Sequence, residues 1–188
     1  MAAVLRRGSN VALTKEIPGL PGISVGVRWN AGREEVLSEN LVVATVLCDA
    51  AGKALSTDHF VFFNQLSEPT NSVRQLEQVM GSDIEQVEVH FDAAPAEVSR
   101  IVVVVYVNEA HGLRRTLGRL RDIGVRVLDL RDDRELARSE NLAKDLDLET
   151  ALALCEVYRH NGGWKFKVLG EGYTTGVRGL AGDYGVPL

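Results

Sequence analysis

The chain has 188 residues, of which 45% are hydrophobic and 25% are charged. A chain of this length buries roughly 70% of its unfolded surface, so we expect one domain over residues 1–188 that folds without metals or disulfides. The formal net charge of −5 argues against attraction to nucleic-acid phosphates or to anionic membranes.

The cysteines and the apolar segments exclude further classes of protein. Cys48 and Cys155 lie far apart without a second Cys or His at metal spacing, which indicates neither a zinc site nor a disulfide framework. The first residues lack the apolar core of a signal peptide, and no run reaches the length of about 18 apolar residues that a membrane span needs. We therefore expect a cytoplasmic protein without a membrane span.

The first half of the chain predicts short strands separated by turns. Residues 10–15 and 23–29 alternate apolar and polar side chains, as half-buried strands do. Residues 31–39 are polar and predict a loop. Residues 41–48 are almost wholly apolar and rich in β-branched side chains, which is typical of a strand covered on both faces. Residues 60–64 continue the β pattern.

The middle of the chain predicts more strands and one helix. A weak apolar stripe within residues 72–86 predicts a short helix that ends at Gly81. Residues 101–107 form the most strongly apolar strand pattern. Residues 109–121 place Leu113, Leu117 and Leu120 on one stripe, which predicts the middle helix. Further strands are predicted at residues 87–91, 125–130 and 134–138.

Residues 151–173 predict a β-hairpin, because two alternating apolar segments flank the turn Asn161-Gly162. This turn predicts four cross-strand pairs: Val157 with Phe166, Cys155 with Val168, Arg159 with Trp164, and Glu156 with Lys167. One face of the hairpin would then lie in the core, and the other would be solvated and charge-paired.

The order of these elements predicts a mainly β protein. Many short strands with turns about every dozen residues favour a β-sandwich of two sheets over a sheet with alternating helices. The sandwich would carry the one middle helix and, at residues 177–184, short C-terminal helical turns.

Residues 156–173 resemble the C-terminal signature of the tellurium-resistance TerD family, which in one-letter code is E-L-Y-R-x-x-x-x-W-K-F-x-A-x-G-x-G-[FY]. Residues 25–30 are similar to the family's V-G-L-G-W-D, and residues 59–64 contain a match to F-V-F-Y-N. Residues 117–118 correspond to F-G in the family's helix. The resemblance covers essentially all 188 residues, and its segments follow the family's order.

The resemblance implies a cytoplasmic β-sandwich that binds calcium between loops and has no established catalytic activity. It also implies a link to tellurite resistance and wider stress responses in bacteria. The function expected on this basis is that of a non-catalytic binding or assembly module whose partners are other proteins, including TerD-like ones.

The chain departs from the family pattern where calcium would bind. The family's D-L-D corresponds to residues 40–42, Asn-Leu-Val, and its acidic loop is shortened to residues 81–85. The remaining candidate ligands are Asn40, Asp83, Glu85 and Glu109. Calcium takes about six to eight oxygen ligands, so we expect weak or absent calcium binding and no other cofactor. A calcium sensor with a retained site stays open as an alternative.

Positive charge concentrates on and after the predicted middle helix, at Arg114, Arg115, Arg119, Arg121 and Arg126. The first four are candidates for docking an acidic partner, a nucleotide or another copy of the fold. The other interpretation is a solvated face whose arginines pair with nearby acids such as Asp122, Asp132 and Asp133.

The histidines and nucleophiles show no spacing that is typical of a catalytic or metal site. The four histidines, His59, His90, His111 and His160, are scattered along the chain. An alternative from a different class is a small-molecule hydrolase that uses His59 with Asp58 or His160 with Glu156.

Overall fold

The computed structural model describes residues 2–79, 81–109 and 115–188, which form two six-stranded sheets around a shared hydrophobic core. Sheet A consists, in spatial order, of β1 (Ala3–Leu5), β10 (Glu135–Ser139), β9 (Asp122–Asp129), β3 (Gly22–Asn30), β7 (Glu85–His90) and β6 (Val73–Gln75). Sheet B consists of β2 (Asn10–Ala12), β12 (Gly163–Tyr173), β11 (Ala151–His160), β8 (Arg100–Val107), β4 (Leu41–Cys48) and β5 (Phe60–Val61). The predicted mainly β sandwich is confirmed.

The core lies between the two sheets and follows from the alternation of side chains along each strand. In β3, Ile23, Val25 and Val27 are fully buried. They belong to the same hydrophobic core as Val103 and Phe166 of sheet B. Strand alternation therefore gives each sheet one face for the core and leaves the other face to be covered or solvated.

The outer face of sheet B carries a second apolar cluster, which explains the continuous apolar runs in β4 and β8. Helix α2 (Gly176–Asp183) packs over this face, where Leu180 joins Val46, Val102 and Ala153. Both faces of β4 and β8 are thus buried, as their sequences predicted. The C-terminal helical turns predicted at residues 177–184 are also present.

A short helix, α1 (Glu35–Glu39), stands where a loop was predicted for residues 31–39. Its Leu37 is fully buried, and Trp29 Nε1 donates a hydrogen bond to Ser38 Oγ at 3.1 Å. The helix has no side-chain N-cap. Tertiary contacts therefore hold it, and the polar composition of the segment carried no helical signal.

The helix predicted within residues 72–86 is wrong, because Val73–Gln75 form the edge strand β6 and pair with β7. The buried Glu68 holds this segment extended. Its carboxylate accepts hydrogen bonds from the backbone N–H groups of Thr70 and Val73, at 2.7 and 3.2 Å. Such local side-chain bonds compete with helical backbone bonds.

The predicted middle helix falls partly on residues 110–114, which lie outside the described residues. Its described end is a 3-10 turn at Leu117–Arg119, and residue 122 already begins β9. Gly118 allows the backbone of this turn to lie close to the backbone of Asp147, which a Cβ at residue 118 would meet.

The predicted hairpin is confirmed with its register, including Val157 opposite Phe166 and Glu156 opposite Lys167. The guanidinium of Arg159 lies 4.4 Å from the centre of the Trp164 ring. The expected solvated face is wrong for Glu156, which is buried and bound by Arg100 Nε at 2.7 Å. Arg100 reaches it from β8, which pairs with β11 on its other side.

Candidate functional site

The carboxylate of Asp83 is fully enclosed and already has protein partners. Arg126 Nε lies 2.8 and 3.0 Å from its two oxygens, and Gln86 Nε2 donates to it at 2.8 Å. The group lies flat over Gly26, where a Cβ would collide with it. A guanidinium thus occupies the position where a cation would have to bind this carboxylate.

Glu85, the next acidic candidate along β7, lies opposite Val27 in β3. Gln75 Nε2 is 3.3 Å from its carboxylate. Burial raises the pKa of Glu85, an effect that the hydrogen bond from Gln75 opposes. Glu85 is the first residue of β7 in sheet A, and Asp83 lies two residues before that strand.

The other two calcium candidates lie at one end of sheet B. Asn40 follows the last residue of α1, and its side-chain N–H donates to Val36 O at 2.8 Å. The backbone carbonyl of Asn40 accepts the backbone N–H of Asn108 at 2.8 Å. Glu109 follows β8 and lines an open cavity of about 570 Å³ together with Thr175 and Arg178.

The four predicted ligands are thus divided between two sheets, and one of them is held by an arginine. Within residues 2–79, 81–109 and 115–188, no group of three or more His, Cys, Asp or Glu side chains is arranged to hold a metal ion. Calcium prefers about six to eight oxygens, several from carboxylates. The described residues do not fit that requirement.

Three of the four candidate partner-binding arginines converge on the loop before α1, and Arg114 lies outside the described residues. Arg119 Nη1 lies 2.8 Å from Glu34 Oε1, and Arg115 Nε lies 3.9 Å from Glu34 Oε2. Arg121 lies beside Gly32, where a Cβ would be 2.6 Å from its Nε. We call Arg115, Arg119 and Arg121 with this loop the basic surface.

The acidic partner of the basic surface differs from those expected from the sequence. Glu34 is 85 residues from Arg119 along the chain. Asp122 instead lies 3.6 Å from Arg28, and Arg126 belongs to the Asp83 network in sheet A. Proximity in sequence suggested the wrong acids, because Asp122 already belongs to β9 and its described ion pair is with Arg28 of the neighbouring strand β3.

Neither proposed hydrolase pair is joined in the structure. His59 Nδ1 lies 2.7 Å from Ser56 Oγ, which caps the 3-10 turn that contains Asp58. His160 contacts Asn161 at 3.2 Å, while Glu156 is bound by Arg100. His111 lies outside the described residues.

The two cysteines are buried and free. Burial raises the pKa of the Cys48 thiol to about 12 and also raises that of Cys155. A thiol that stays protonated at neutral pH is a poor nucleophile and a poor metal ligand, so both side chains act as core residues.

A two-sheet sandwich with a helix over one outer face defines the structural class of this protein. A family profile for the TerD domain matches residues 1–184. The chain therefore belongs to the TerD family, and the resemblance seen in its sequence is confirmed. Among the described residues, no helix is long and apolar enough to cross a membrane.

Relatives match along the whole chain. General stress protein 16U of Bacillus subtilis (strain 168) is 36% identical over 193 residues that cover 100% of both chains. Tellurium resistance protein TerD of Serratia marcescens is 32% identical over 190 residues, which cover 99% of this chain and 98% of the relative. A crystal structure of a TerD homologue from Streptomyces coelicolor A3(2) has a TM-score of 0.65 at 18% identity, covering 87% of this chain and 96% of that one. The solved structure supports the fold alone.

Proposed function

We propose that this protein is a cytoplasmic stress-response module of the TerD family, linked to tellurium resistance, which binds or assembles with other proteins and catalyses no reaction. Residues 1–188 act as one unit in this proposal. Relatives at 32% and 36% identity are named for tellurium resistance and general stress. Neither a buried thiol nor one of the two separate His–carboxylate pairs offers an activated nucleophile or base, which supports a binding module over the hydrolase alternative.

We further propose that calcium binding is weak or lost in this chain. The observation that carries this proposal is the Asp83 carboxylate, which is enclosed and bound by Arg126 and Gln86. Replacing the arginine by a calcium ion would leave a guanidinium without its main partner. That cost opposes metal binding.

Thermal unfolding with EDTA and with millimolar calcium tests this proposal. A site with a dissociation constant near 10 μM would add about 2.7 kcal/mol at 1 mM calcium, which raises Tm by roughly 5–10 °C in a protein of this size. We expect a change in Tm smaller than about 2 °C. A rise of the larger size would favour the calcium-sensor alternative.

The basic surface is the proposed contact for protein partners, including other TerD-like proteins. Arg115 and Arg119 share the single carboxylate of Glu34, and their side chains remain 39% and 52% exposed. The described ion pairs set one carboxylate against two arginines here, so the pairing leaves one positive charge over on a protein of net negative charge. Such a patch steers association with acidic surfaces.

The test is capture of partners from the native host, identified by mass spectrometry, with and without calcium. We expect Arg115→Glu with Arg119→Glu to abolish capture of the partners that the wild type enriches. Lys165→Glu with Lys167→Glu is the matched control, because it makes the same charge change on β12, away from the basic surface. If the arginine variant captures the same partners as the wild type, Arg115 and Arg119 do not bind partners and serve only in the local ion pairs with Glu34.

A further inference from the structure

A groove of about 400 Å³ crosses the outer face of sheet A. It runs over the middle of β3, with β7 on one side and β9 on the other. Leu76, Gln78 and Gly81 line it from the segment after β6, and Leu130 and Asp133 line it from the turn after β9. Volumes between about 300 and 1,000 Å³ are typical of small-molecule sites.

The row of cross-strand neighbours through Ser24 forms the floor of this groove, and one further row lies on each side of it. Ser24 pairs with Glu88 on one side and with Leu128 on the other. Gly26 pairs with Gln86 and Arg126 in the next row. Gly22 pairs with His90 in the third row, where its carbonyl accepts the N–H of Leu130. The two glycine rows are occupied from above, since the Asp83 carboxylate lies over Gly26 and the Leu130 side chain lies next to Gly22. The row through Ser24 supplies Ser24, Glu88 and Leu128 to the groove lining.

Ser24 supplies an independent sign that the groove takes a ligand. Its neighbours Ile23 and Val25 point into the core, so strand alternation turns the Ser24 hydroxyl toward the groove. The residue is 4% exposed, and its Oγ has no hydrogen-bond partner in the part of the chain that the structure describes. Buried hydroxyls without partners are costly and uncommon in native proteins.

The charged side chains around the groove carry an excess of negative charge. Among the charged lining residues, the carboxylates of Glu88 and Asp133 stand against the one guanidinium of Arg126. The ion pairs around them add the carboxylates of Asp83 and Glu135 and the guanidinium groups of Arg74 and Arg138. Arg126 is held by Asp83 and Glu135. The described contacts of Glu88, from Arg74 and His90, both go to Oε2. Glu88 Oε1 thus remains an acceptor on the cross-strand neighbour of Ser24.

Leucine side chains line both sides of the groove. Leu128 lies directly across from Ser24, and Leu76 and Leu130 flank it from the two neighbouring segments. A ligand in the groove would therefore meet the carboxylate of Glu88 on β7 and leucine side chains from both sides of the groove. An ion without an apolar part would make no apolar contact with the leucine side chains.

We propose that this groove binds a small organic cation, a primary amine carried on a short apolar body. Its ammonium group donates to Ser24 Oγ and Glu88 Oε1, and its apolar part packs on Leu76, Leu128 and Leu130. The inference goes beyond the proposed function and does not depend on it, because the groove lies on sheet A and excludes the basic surface.

Three probes of nearly equal shape and different charge test the assignment: benzylamine, benzyl alcohol and benzoate. Titrations followed by backbone amide NMR report which residues each probe contacts. We expect benzylamine to shift the amides of Ser24, Glu88 and Leu128, with a dissociation constant on the order of 1 mM. Benzyl alcohol should bind more weakly, and benzoate should leave the chemical shifts of these amides unchanged.

Ser24→Ala should weaken benzylamine binding about tenfold, since it removes one hydrogen bond to a charged donor. Thr45→Val is the matched control. Thr45 is also fully buried with a hydroxyl that has no partner in the described residues, but it lies in β4 of sheet B and is not among the residues that line this groove. Thermal melts of both variants confirm that they are folded.

Several outcomes would overturn the proposal. Benzoate binding as tightly as benzylamine would remove the cation assignment, and absence of groove shifts at about 10 mM benzylamine would remove the site. Unchanged affinity in Ser24→Ala would show that the hydroxyl is not a ligand group. Nα-acetyl-lysine amide represents a lysine side chain of a protein and distinguishes that ligand from a small free amine. If it binds more tightly than benzylamine, the groove binds a lysine of a protein partner and the small-amine assignment is wrong.

Discussion

The outer faces of the two sheets are covered in different ways. On sheet B, α2 lays Leu180 over Val102 and Ala153, and the cluster is apolar throughout. On sheet A, the corresponding face carries Glu88, Ser24 and Arg126 around an open groove. Both faces belong to sheets of six strands, but only one has a helix above it within the described residues.

This difference shows why strand sequences of one sandwich look unlike each other. A strand covered on both sides becomes a continuous apolar run, as in β4 and β8, whereas β3 alternates apolar side chains with Ser24, Gly26 and Arg28. The polar side chains of β3 therefore lie on the open face of sheet A. The outer face of sheet B is buried under α2, whereas the outer face of sheet A carries the groove proposed as a binding site.

The largest expected effect comes from breaking the covered face. Leu180→Ala should lower the free energy of unfolding by about 3 kcal/mol, because it leaves a cavity under α2 where the side chain is fully buried. Urea unfolding measures the change. Leu148→Ala, at a side chain that is 65% exposed, is the control and should change stability by less than about 0.5 kcal/mol. If Leu180→Ala lowers the free energy of unfolding as little as Leu148→Ala does, α2 contributes little to the stability of the covered face.

The next effect tests the buried ion pair on the open face. Arg126→Met should lower the free energy of unfolding by about 2 kcal/mol, because the enclosed Asp83 carboxylate would keep only Gln86 as a partner. Arg138→Met removes a more exposed arginine from Glu135 and should cost less than about 1 kcal/mol. If the two variants unfold at the same urea concentration, Asp83 does not depend on Arg126.

A pH-dependent effect is expected at the edge of sheet A. Burial alone would raise the pKa of Glu68, but hydrogen bonds from Thr70, Ser72 and Val73 outweigh it and hold the pKa below its usual 4.5. A carboxyl with a lowered folded pKa stabilises the protein above its unfolded pKa and loses that contribution as pH falls through the folded value.

Glu68→Gln should therefore cost about 2 kcal/mol near pH 7, and the difference from wild type should shrink below about pH 4 as Glu68 becomes protonated. Urea unfolding at a series of pH values checks both parts of this prediction. A difference that stays constant down to about pH 2 would show that the carboxylate form is not what holds the segment before β6.

The smallest effect compares two buried hydroxyls. Ser24→Ala and Thr45→Val should each raise the free energy of unfolding by up to about 1 kcal/mol, since both remove a buried hydroxyl that lacks a partner in the described residues. Differential scanning calorimetry measures the two changes. A loss of stability in Ser24→Ala alone would reveal a hydrogen bond that the ligand-free groove already satisfies.

Local patterns were enough to predict the hairpin and the buried strands. The turn at Asn161-Gly162 sets the register of β11 and β12 because it adopts positive φ at both residues, with values of 48° and 77°. Failures came where the contacts of a single side chain overrode the composition of its segment. Leu37 is buried in a polar segment and forms part of α1, and Glu68 holds β6 extended where a helical stripe was expected.

The candidate sites were less predictable than the fold. The family pattern pointed to Asp83 and Glu85 as possible calcium ligands, but no local signal showed that Arg126 would reach Asp83 from 43 residues away. In the same way, nothing near Arg119 in sequence indicated Glu34. Side-chain partners depend on which strands become neighbours, and alternation specifies faces without specifying neighbours.

The sequence by itself determined which side chains face inward, where the hairpin turns and that the chain belongs to a β-sandwich family, because these follow from alternation, turn chemistry and an ordered set of motifs. Only the tertiary structure decided that Glu156 binds Arg100, that Asp83 binds Arg126, and that Ser24 lies between Glu88 and Leu128. The physical reason is that sheet order brings together residues from distant parts of the chain. Charge pairing and groove chemistry are properties of that order.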